Sequence, residues 1–307
     1  MDKPPFFIVG SPRSGTSLLR VMLDGHPRLA VPPESHFIVG LAPRLLRKVR
    51  GSTSVHKTLD DILGHERFPR WGLDVSDVRE RVWRSDPTTY SELIDAVFRS
   101  YAEAHGKSRW GDKTPGYVSH MPTLDRLFPT ARFIHIIRDG RESAVSMAEL
   151  PWGPRSPVSG AFWWRSKVER GRAFGGLLPV ERYFELRLED LIEDPEGRLQ
   201  EICDFLEERY SPEMLDYPSR MANVSRPGQP HLTKPPTPGL RNWKAGLSAR
   251  EKRAIDAVCR GLLQRLGYRF AGKDPVGLAY ARTVRFRDLL LTALPIWRAR
   301  LSSSRRF

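Results

Sequence analysis

The chain has 307 residues, 40% of them hydrophobic and 28% charged, which is ordinary for a soluble globular protein with one large core or two modest ones. It has no apolar run of 18 residues, so no transmembrane helix is indicated, and with the first strand beginning almost at once no signal peptide is expected. The net charge of +14 is uneven: residues 240–307 hold 16 Lys and Arg against 4 Asp and Glu, leaving about +2 for the rest. With no helix-turn-helix signature and no zinc-ligand spacing, that distribution does not describe a nucleic-acid-binding face.

Taken in order, Phe6-Phe7-Ile8-Val9 is a continuous apolar run and predicts a buried parallel strand. Leu18, Leu19, Met22 and Leu23 then share one helical face, so a helix runs from about Gly15 to Gly25. Leu29 to Val31 is a short strand, followed by the loop Pro32-Pro33-Glu34-Ser35-His36. Residues 37–50 predict a basic helix and 58–84 short helices outside the main sheet. Thr89 and Glu92 form a capping-box pattern, opening a helix that Gly106 ends. Trp110 to Pro115 is a strand running into a loop, and 119–128 a helix. Ala131 to Arg138 is the second strong core strand, and Asp139-Gly140 turns into a helix over Arg141–Glu149. A helix through Trp163, Trp164 and Val168, a strand Arg182–Leu188 and a helix Glu196–Leu206 follow. Trp163 and Trp164 read as core before they read as stacking platforms. Residues 218–240 carry six prolines, which forbid regular structure. Ser248 and Glu251 form a second capping box, on a helix that turns Ile255, Val258, Cys259, Leu262 and Leu266 inward. Cys203 and Cys259 both lie in apolar helical patterns and read as buried free thiols. Strands alternating with helices predict an α/β fold, P-loop-like, with a central parallel sheet between helical layers.

Gly10-Ser11-Pro12-Arg13-Ser14-Gly15 is the tight turn between the first strand and helix. Such a turn aims backbone N–H groups and the positive end of the helix dipole at one spot, and so cradles phosphate. The spacing GxxxxG fits a nucleotidase P-loop, but Thr16 stands where that motif needs lysine, and the cation sits inside the loop as Arg13. A loop of this kind can hold a 5′-phosphate and a terminal group without a metal.

Ser11-Pro12-Arg13-Ser14-Gly15-Thr16-Ser17-Leu18-Leu19 resembles the 5′-phosphosulfate loop of sulfotransferases that use 3′-phosphoadenosine 5′-phosphosulfate (PAPS). The nearest likeness is to tyrosylprotein sulfotransferases and their bacterial relatives, over roughly residues 5–270. The resemblance implies that Ser11 to Ser17 bind the phosphosulfate and that Arg138 and Ser146, eight residues apart, bind the 3′-phosphate. A guanidinium offering two donors and a hydroxyl offering a third suit that group. It implies that Glu34, 21 residues after Arg13, is the base that deprotonates the acceptor hydroxyl, a role that calls for burial to raise its pKa toward neutrality. His36 is the rival base, since cytosolic relatives use histidine. Lys113, in Gly-Asp-Lys-Thr-Pro, matches the lysine that offsets charge on the bridging oxygen, with Arg13 beside it. Ser225, Arg226, Lys234 and Lys244 are the expected lid contacts. Here Thr237-Pro238-Gly239 precedes Trp243-Lys244 where cytosolic members carry Arg-Lys-Gly, and Leu188-Glu189-Asp190 replaces Tyr-Glu-Asp.

The expected organisation is a sulfotransferase domain over 1–271 and a basic amphipathic tail over 272–307. The expected donor is PAPS, with adenosine 3′,5′-bisphosphate (PAP) as product and no metal. The acceptor is a hydroxyl of a sugar, glycolipid, small phenol or tyrosine, with no nucleic-acid partner. The alternatives are a P-loop kinase or nucleotidase, and a catalytically idle nucleotide-binding protein at a membrane. The chain is expected in the cytoplasm. In the tail, Leu289 to Trp297 is mainly apolar and flanked by Arg282, Arg285, Arg287, Arg298 and Arg300. That pattern suits either a segment lying in an anionic membrane surface, which favours a lipid or glycolipid acceptor, or one packed on protein.

Overall fold

The computed structural model describes residues 3–45, 52–221, 233, 242–270 and 272–303. They divide into two compact units. The first comprises Met1–Gly10, Gly15–Ile137 and Arg170–Pro238; the second comprises Ser11–Ser14, Arg138–Glu169 and Gly239–Phe307.

The first unit is built on β1 (Phe6–Gly10), β2 (Leu29–Ala30), β3 (Arg109–Lys113), β4 (Arg132–Ile137) and β5 (Tyr183–Arg187). They form one sheet in the order β2-β3-β1-β4-β5, with every neighbouring pair parallel. Phe6 stands opposite Gly111 on one side and Arg132 on the other. Both faces are buried, which is why β1 is apolar at successive positions instead of alternating, as is β4 at Phe133-Ile134 and Ile136-Ile137. Phe7, Val9 and Phe133 point to one side, into an aromatic core with Phe37, Trp71 and Phe98. Phe6, Ile8, Ile134 and Ile136 point to the other, against Leu19, Met22 and Ile202.

Among the helices that supply these cores are α1 (Thr16–Leu23), α2 (Phe37–Leu45), α3 (Ser52–Leu63), α4 (Val75–Ser85), α5 (Tyr90–Ala104) and α6 (Met121–Leu127). The alternation of strand and helix therefore gives the expected layered α/β fold. The 37–50 helix is present as far as Leu45, and 46–51 lie outside the described residues. The capping box at Thr89 is formed in both directions.

The second unit is helical. It contains α7 (Gly140–Ala148), the N-terminal part of α8 (Pro157–Gly175), and, after α9 (Leu188–Glu193), α10 (Pro195–Leu206) and α11 (Tyr217–Met221) of the first unit, α12 (Ala249–Arg265) and α13 (Pro275–Ser303). Trp164 is fully buried and donates its indole N–H to the Arg138 carbonyl at 3.1 Å, so it is core. Trp163 is exposed. The indole of Trp164 lies where a Cβ on Gly140 would be 2.4 Å from the ring, so the first residue of α7 has to be glycine. Arg141 ties α7 to α12: it bonds Asp256 Oδ1 at 2.8 Å and Asp139 Oδ2 at 2.7 Å, and its guanidinium lies 5.2 Å from the Trp243 ring centre. The second capping box, Ser248–Glu251, opens α12 as expected. Both cysteines are buried and free.

Candidate active site

In an open parallel sheet, ligands gather beyond the carboxyl ends of the strands, where the strand order reverses. Here β1 is central: β3 and β2 lie to one side of it, β4 and β5 to the other. The carboxyl ends of β1 and β3 are Gly10 and Lys113.

Within the first unit, α1 starts at Thr16, straight after Gly15, whose φ of 88° lies in the left-handed region. A Cβ there would also sit 2.4 Å from Leu188 Cδ1, so both the backbone turn and the packing demand glycine. No side chain caps α1 and no acid lies in its first turn, whereas α4 and α5 are capped by Asp74 and Thr89. The first backbone bond to Gly15 comes from Leu19, so the N–H groups before it face outward along the positive end of the helix. An anion fits that end.

Beside it the structure joins residues that are far apart in sequence. Lys113, only 3% exposed, donates from Nζ to Glu34 Oε1 at 2.5 Å and to Ser17 Oγ at 3.2 Å. The other Glu34 oxygen, Oε2, is 2.8 Å from His36 Nε2, and His36 reaches it through a left-handed backbone with φ 57°. The Glu34 loop is anchored on both flanks. Trp71 Nε1 donates to the Pro33 carbonyl at 3.0 Å, and the buried Ser35 hydroxyl is 3.1 Å from Tyr117 OH and 3.4 Å from Thr114 Oγ1.

This geometry overturns the expectation that burial would raise the Glu34 pKa. Burial does push it up, and is the largest single influence. The His36 hydrogen bond and the charge and hydrogen bond of Lys113 together outweigh it and hold the carboxyl at about 2. The Lys113 ammonium is itself disfavoured, because burial costs it more than Glu34 returns. The pair is therefore lopsided: Glu34 has two partners and some solvent, while Lys113 is deep. Asp112, next in the strand, is fully buried; burial pushes it up to about 6 against the hydroxyls of Ser35 and Thr114 and the charge of Lys113. Its Oδ1 accepts from Thr114 at 3.3 Å, and its Oδ2 has no hydrogen-bond partner among the described residues.

Within the second unit, loop residues Ser11 to Ser14 lie on α7. Ser11 Oγ is 3.7 Å from Met147 Sδ, and Arg13 Nε donates to Ser146 Oγ at 2.9 Å. Arg138 Nη1 reaches the Arg13 carbonyl at 3.4 Å, while its Nη2 pairs with Glu142 at 2.5 Å, one helical turn on. Arg13, Arg138 and Ser146 are thus one cluster. Arg13 takes a φ of 67°, a conformation that side-chain-bearing residues seldom adopt and that is often found at functional sites. The hydroxyls of Ser14 and Ser143 are buried and have no hydrogen-bond partner among the described residues. Such groups are costly unless something occupies them. Two guanidinium groups and unpaired hydroxyls are the donor set that a phosphate ester requires, so this cluster fits a phosphate group.

Of the other expected contacts, Lys244 is exposed, with Nζ 5.9 Å from the Trp243 ring centre. Ser225, Arg226 and Lys234 lie outside the described residues. Sequence reasoning missed Ser143, although it stands three residues before Ser146 on the same helical face. It also missed the partnership of His36 with Glu34, having set the two as rivals. Ser35, Thr114 and Tyr117 left no signal at all.

The model of the sulfotransferase family matches residues 4–212. A putative protein-tyrosine sulfotransferase of Caenorhabditis briggsae is 28% identical over 235 residues, covering 69% of this chain and 68% of that protein. The human protein-tyrosine sulfotransferase 1 is 32% identical over 148 residues, covering 48% of this chain and 34% of that protein, so the match spans about a third of its length. Among solved structures, the sulfotransferase domain of the Synechococcus PCC 7002 olefin synthase superposes with a TM-score of 0.63 at 26% identity, covering 88% of this chain and 98% of that domain. The uncapped, acid-free start of α1, the Lys113–Glu34 pair and the Arg13–Arg138–Ser146 cluster all fall within the matched residues, and the chain belongs to the sulfotransferase family.

Proposed function

We propose that the chain transfers the sulfonate of PAPS to the hydroxyl of an acceptor: a sugar, a glycolipid, a small phenol or a tyrosine. The observation that carries this reading is the Lys113 ammonium, held between Glu34 and Ser17 at the carboxyl end of β3. It puts a cation and a carboxylate side by side, as a reaction needs that creates negative charge on one oxygen and removes a proton from another.

PAPS supplies a sulfonate activated by its phosphate leaving group. The start of α1 and the loop before it bind the phosphosulfate through backbone N–H groups and the hydroxyls of Ser14, Thr16 and Ser17. Arg138 and Ser146 bind the 3′-phosphate, with Arg13 beside them, and Glu142 gives up its hold on Arg138. Lys113 turns from Glu34 toward the anion and offsets the charge left on the departing phosphate oxygen. Glu34 takes the acceptor proton as the acceptor oxygen bonds to sulfur and the sulfur–phosphate oxygen bond breaks. Lys113 thereby couples the two events: while it pairs with Glu34 the carboxylate is a poor base, and once the donor draws it away burial raises the basicity of Glu34. His36 keeps the carboxylate oriented.

Calorimetric titration with PAP in the absence of magnesium tests the reading. Arg138→Ala should weaken binding by about 2–4 kcal/mol, the cost of losing a charge-assisted bidentate contact to a phosphate. Unchanged PAP affinity in the folded variant would remove the 3′-phosphate assignment.

A further inference from the structure

Helix α13 carries two apolar faces, and among the described residues only one of them is occupied. On the inner face Gly277, Ala281, Val284 and Asp288 are buried, at the three- and four-residue spacing of a single helical stripe. That face is fixed by polar bonds as well. Asp288 Oδ2 accepts from Ser156 Oγ at 2.5 Å and from Ser159 Oγ at 2.8 Å. Arg155 donates to the Leu291 carbonyl at 3.0 Å and to Thr292 Oγ1 at 3.2 Å, and the Arg285 guanidinium lies 4.6 Å from the Phe162 ring centre.

The outer face is a second stripe, through Ala279, Thr283, Phe286 and Leu290, with Leu289 beside it. Phe286 is 65% exposed, Leu289 57% and Leu290 50%. The sequence continues the same spacing at Leu294, Trp297 and Leu301, inside the same helix. Arg282 and Arg287, both exposed, flank the stripe, and Arg298 and Arg300 follow in sequence. The one acid in α13 is Asp288, and it is turned inward.

We infer that the outer face of α13 lies in an anionic lipid surface, with Phe286 and Leu290 inserted among the acyl chains and the flanking arginines on the headgroups. The charge pattern selects this occupant over a second copy of the chain. Two such helices side by side would set arginine against arginine, with no exposed acid in either to answer them, whereas an anionic headgroup layer answers all of them. A helix with an apolar stripe bordered by arginines lies flat in such an interface. Among the described residues no helix is long and apolar enough to cross a membrane, so the contact is peripheral. The seating of Asp288 holds the helix on its own unit while leaving the stripe outward, so binding needs no unfolding.

The test is flotation of the full-length protein with vesicles of phosphatidylcholine alone and vesicles that also contain phosphatidylglycerol. The protein should float with the anionic vesicles only, and less as salt is raised. Phe286→Ser/Leu290→Ser should weaken flotation at least about tenfold, as two exposed apolar side chains lose their insertion. Arg282→Glu should reduce it several-fold. Both variants should keep the wild-type circular dichroism and melting temperature, since the altered side chains are solvent-exposed. No flotation, equal flotation with both lipids, or flotation untouched by the serine variant would overturn the inference. So would a dimer in sedimentation velocity that the serine variant disperses while the vesicles stay bare, which would make a second copy the occupant.

Discussion

Replacing Lys113 by methionine separates what this residue does for catalysis from what it does for the fold. The ammonium is 3% exposed, and its pKa is pushed down by burial despite the Glu34 carboxylate. Removing one partner of a buried ion pair leaves the other charge uncompensated, a cost of about 3–5 kcal/mol that the His36 bond to Glu34 and its partial exposure reduce. Lys113→Met should therefore fold but melt below the wild-type temperature. Glu34 should respond as well. Its carboxyl sits at about 2 because His36 and Lys113 together overcome burial. Without Lys113 that opposition weakens, and the pKa should rise above about 2. Carbon NMR of side-chain-labelled glutamate, with Glu34→Gln to assign the signal, reads the shift directly. Turnover should fall by roughly 10²–10³-fold, the usual cost of removing one group that stabilises developing charge. A Lys113→Met protein that still shows Glu34 titrating near 2, or that melts at or above the wild-type temperature, would refute the reasoning about this pair.

Two further outcomes follow from the same geometry. Gly15→Ala should cost about 1–3 kcal/mol in urea unfolding, because the left-handed backbone and the Leu188 contact are both strained by a Cβ; a neutral effect would mean the turn is not held as described. Asp112, raised from 3.8 to about 6, binds its proton more tightly folded than unfolded, so stability is lost as pH rises from about 4 through 6. Asp112→Asn should match wild type near pH 4 and exceed it near pH 8 by up to about 3 kcal/mol, measured by urea unfolding at both pH values; equal stability near pH 8 would contradict the raised value.

The elements that carry the site were legible because they combine signals that agree. Phe6 to Val9 and Ala131 to Ile137 are apolar on both faces, which only a central parallel strand requires, and each is followed by a glycine-bearing turn and a helical stripe. Thr89–Glu92 and Ser248–Glu251 mark helix starts through bonds between near neighbours, so four residues suffice to predict them. What stayed hidden depends on non-local pairing. Glu34 and Lys113 are 79 residues apart, and their bond exists because β2 and β3 are neighbours in the sheet. The direction of the Glu34 pKa could not be read without that bond, since burial alone predicts the reverse. Arg13 and Ser146 are 133 residues apart and meet because the loop after β1 lies on α7. The two faces of α13 were likewise invisible. A helix apolar on opposite sides with arginines between shows no simple stripe, and only the bonds of Ser156 and Ser159 to Asp288 tell which side faces inward.

Sulfonate transfer from PAPS with Glu34 as the base can be followed by label transfer. Extract of the source cell is incubated with sulfur-labelled PAPS and either the wild-type protein or Glu34→Gln, and the labelled product is isolated and identified. Wild type should yield a labelled sulfate ester and Glu34→Gln at least about a hundredfold less, the two proteins binding PAP equally. Transfer of equal rate by both, or no transfer by wild type, would contradict it.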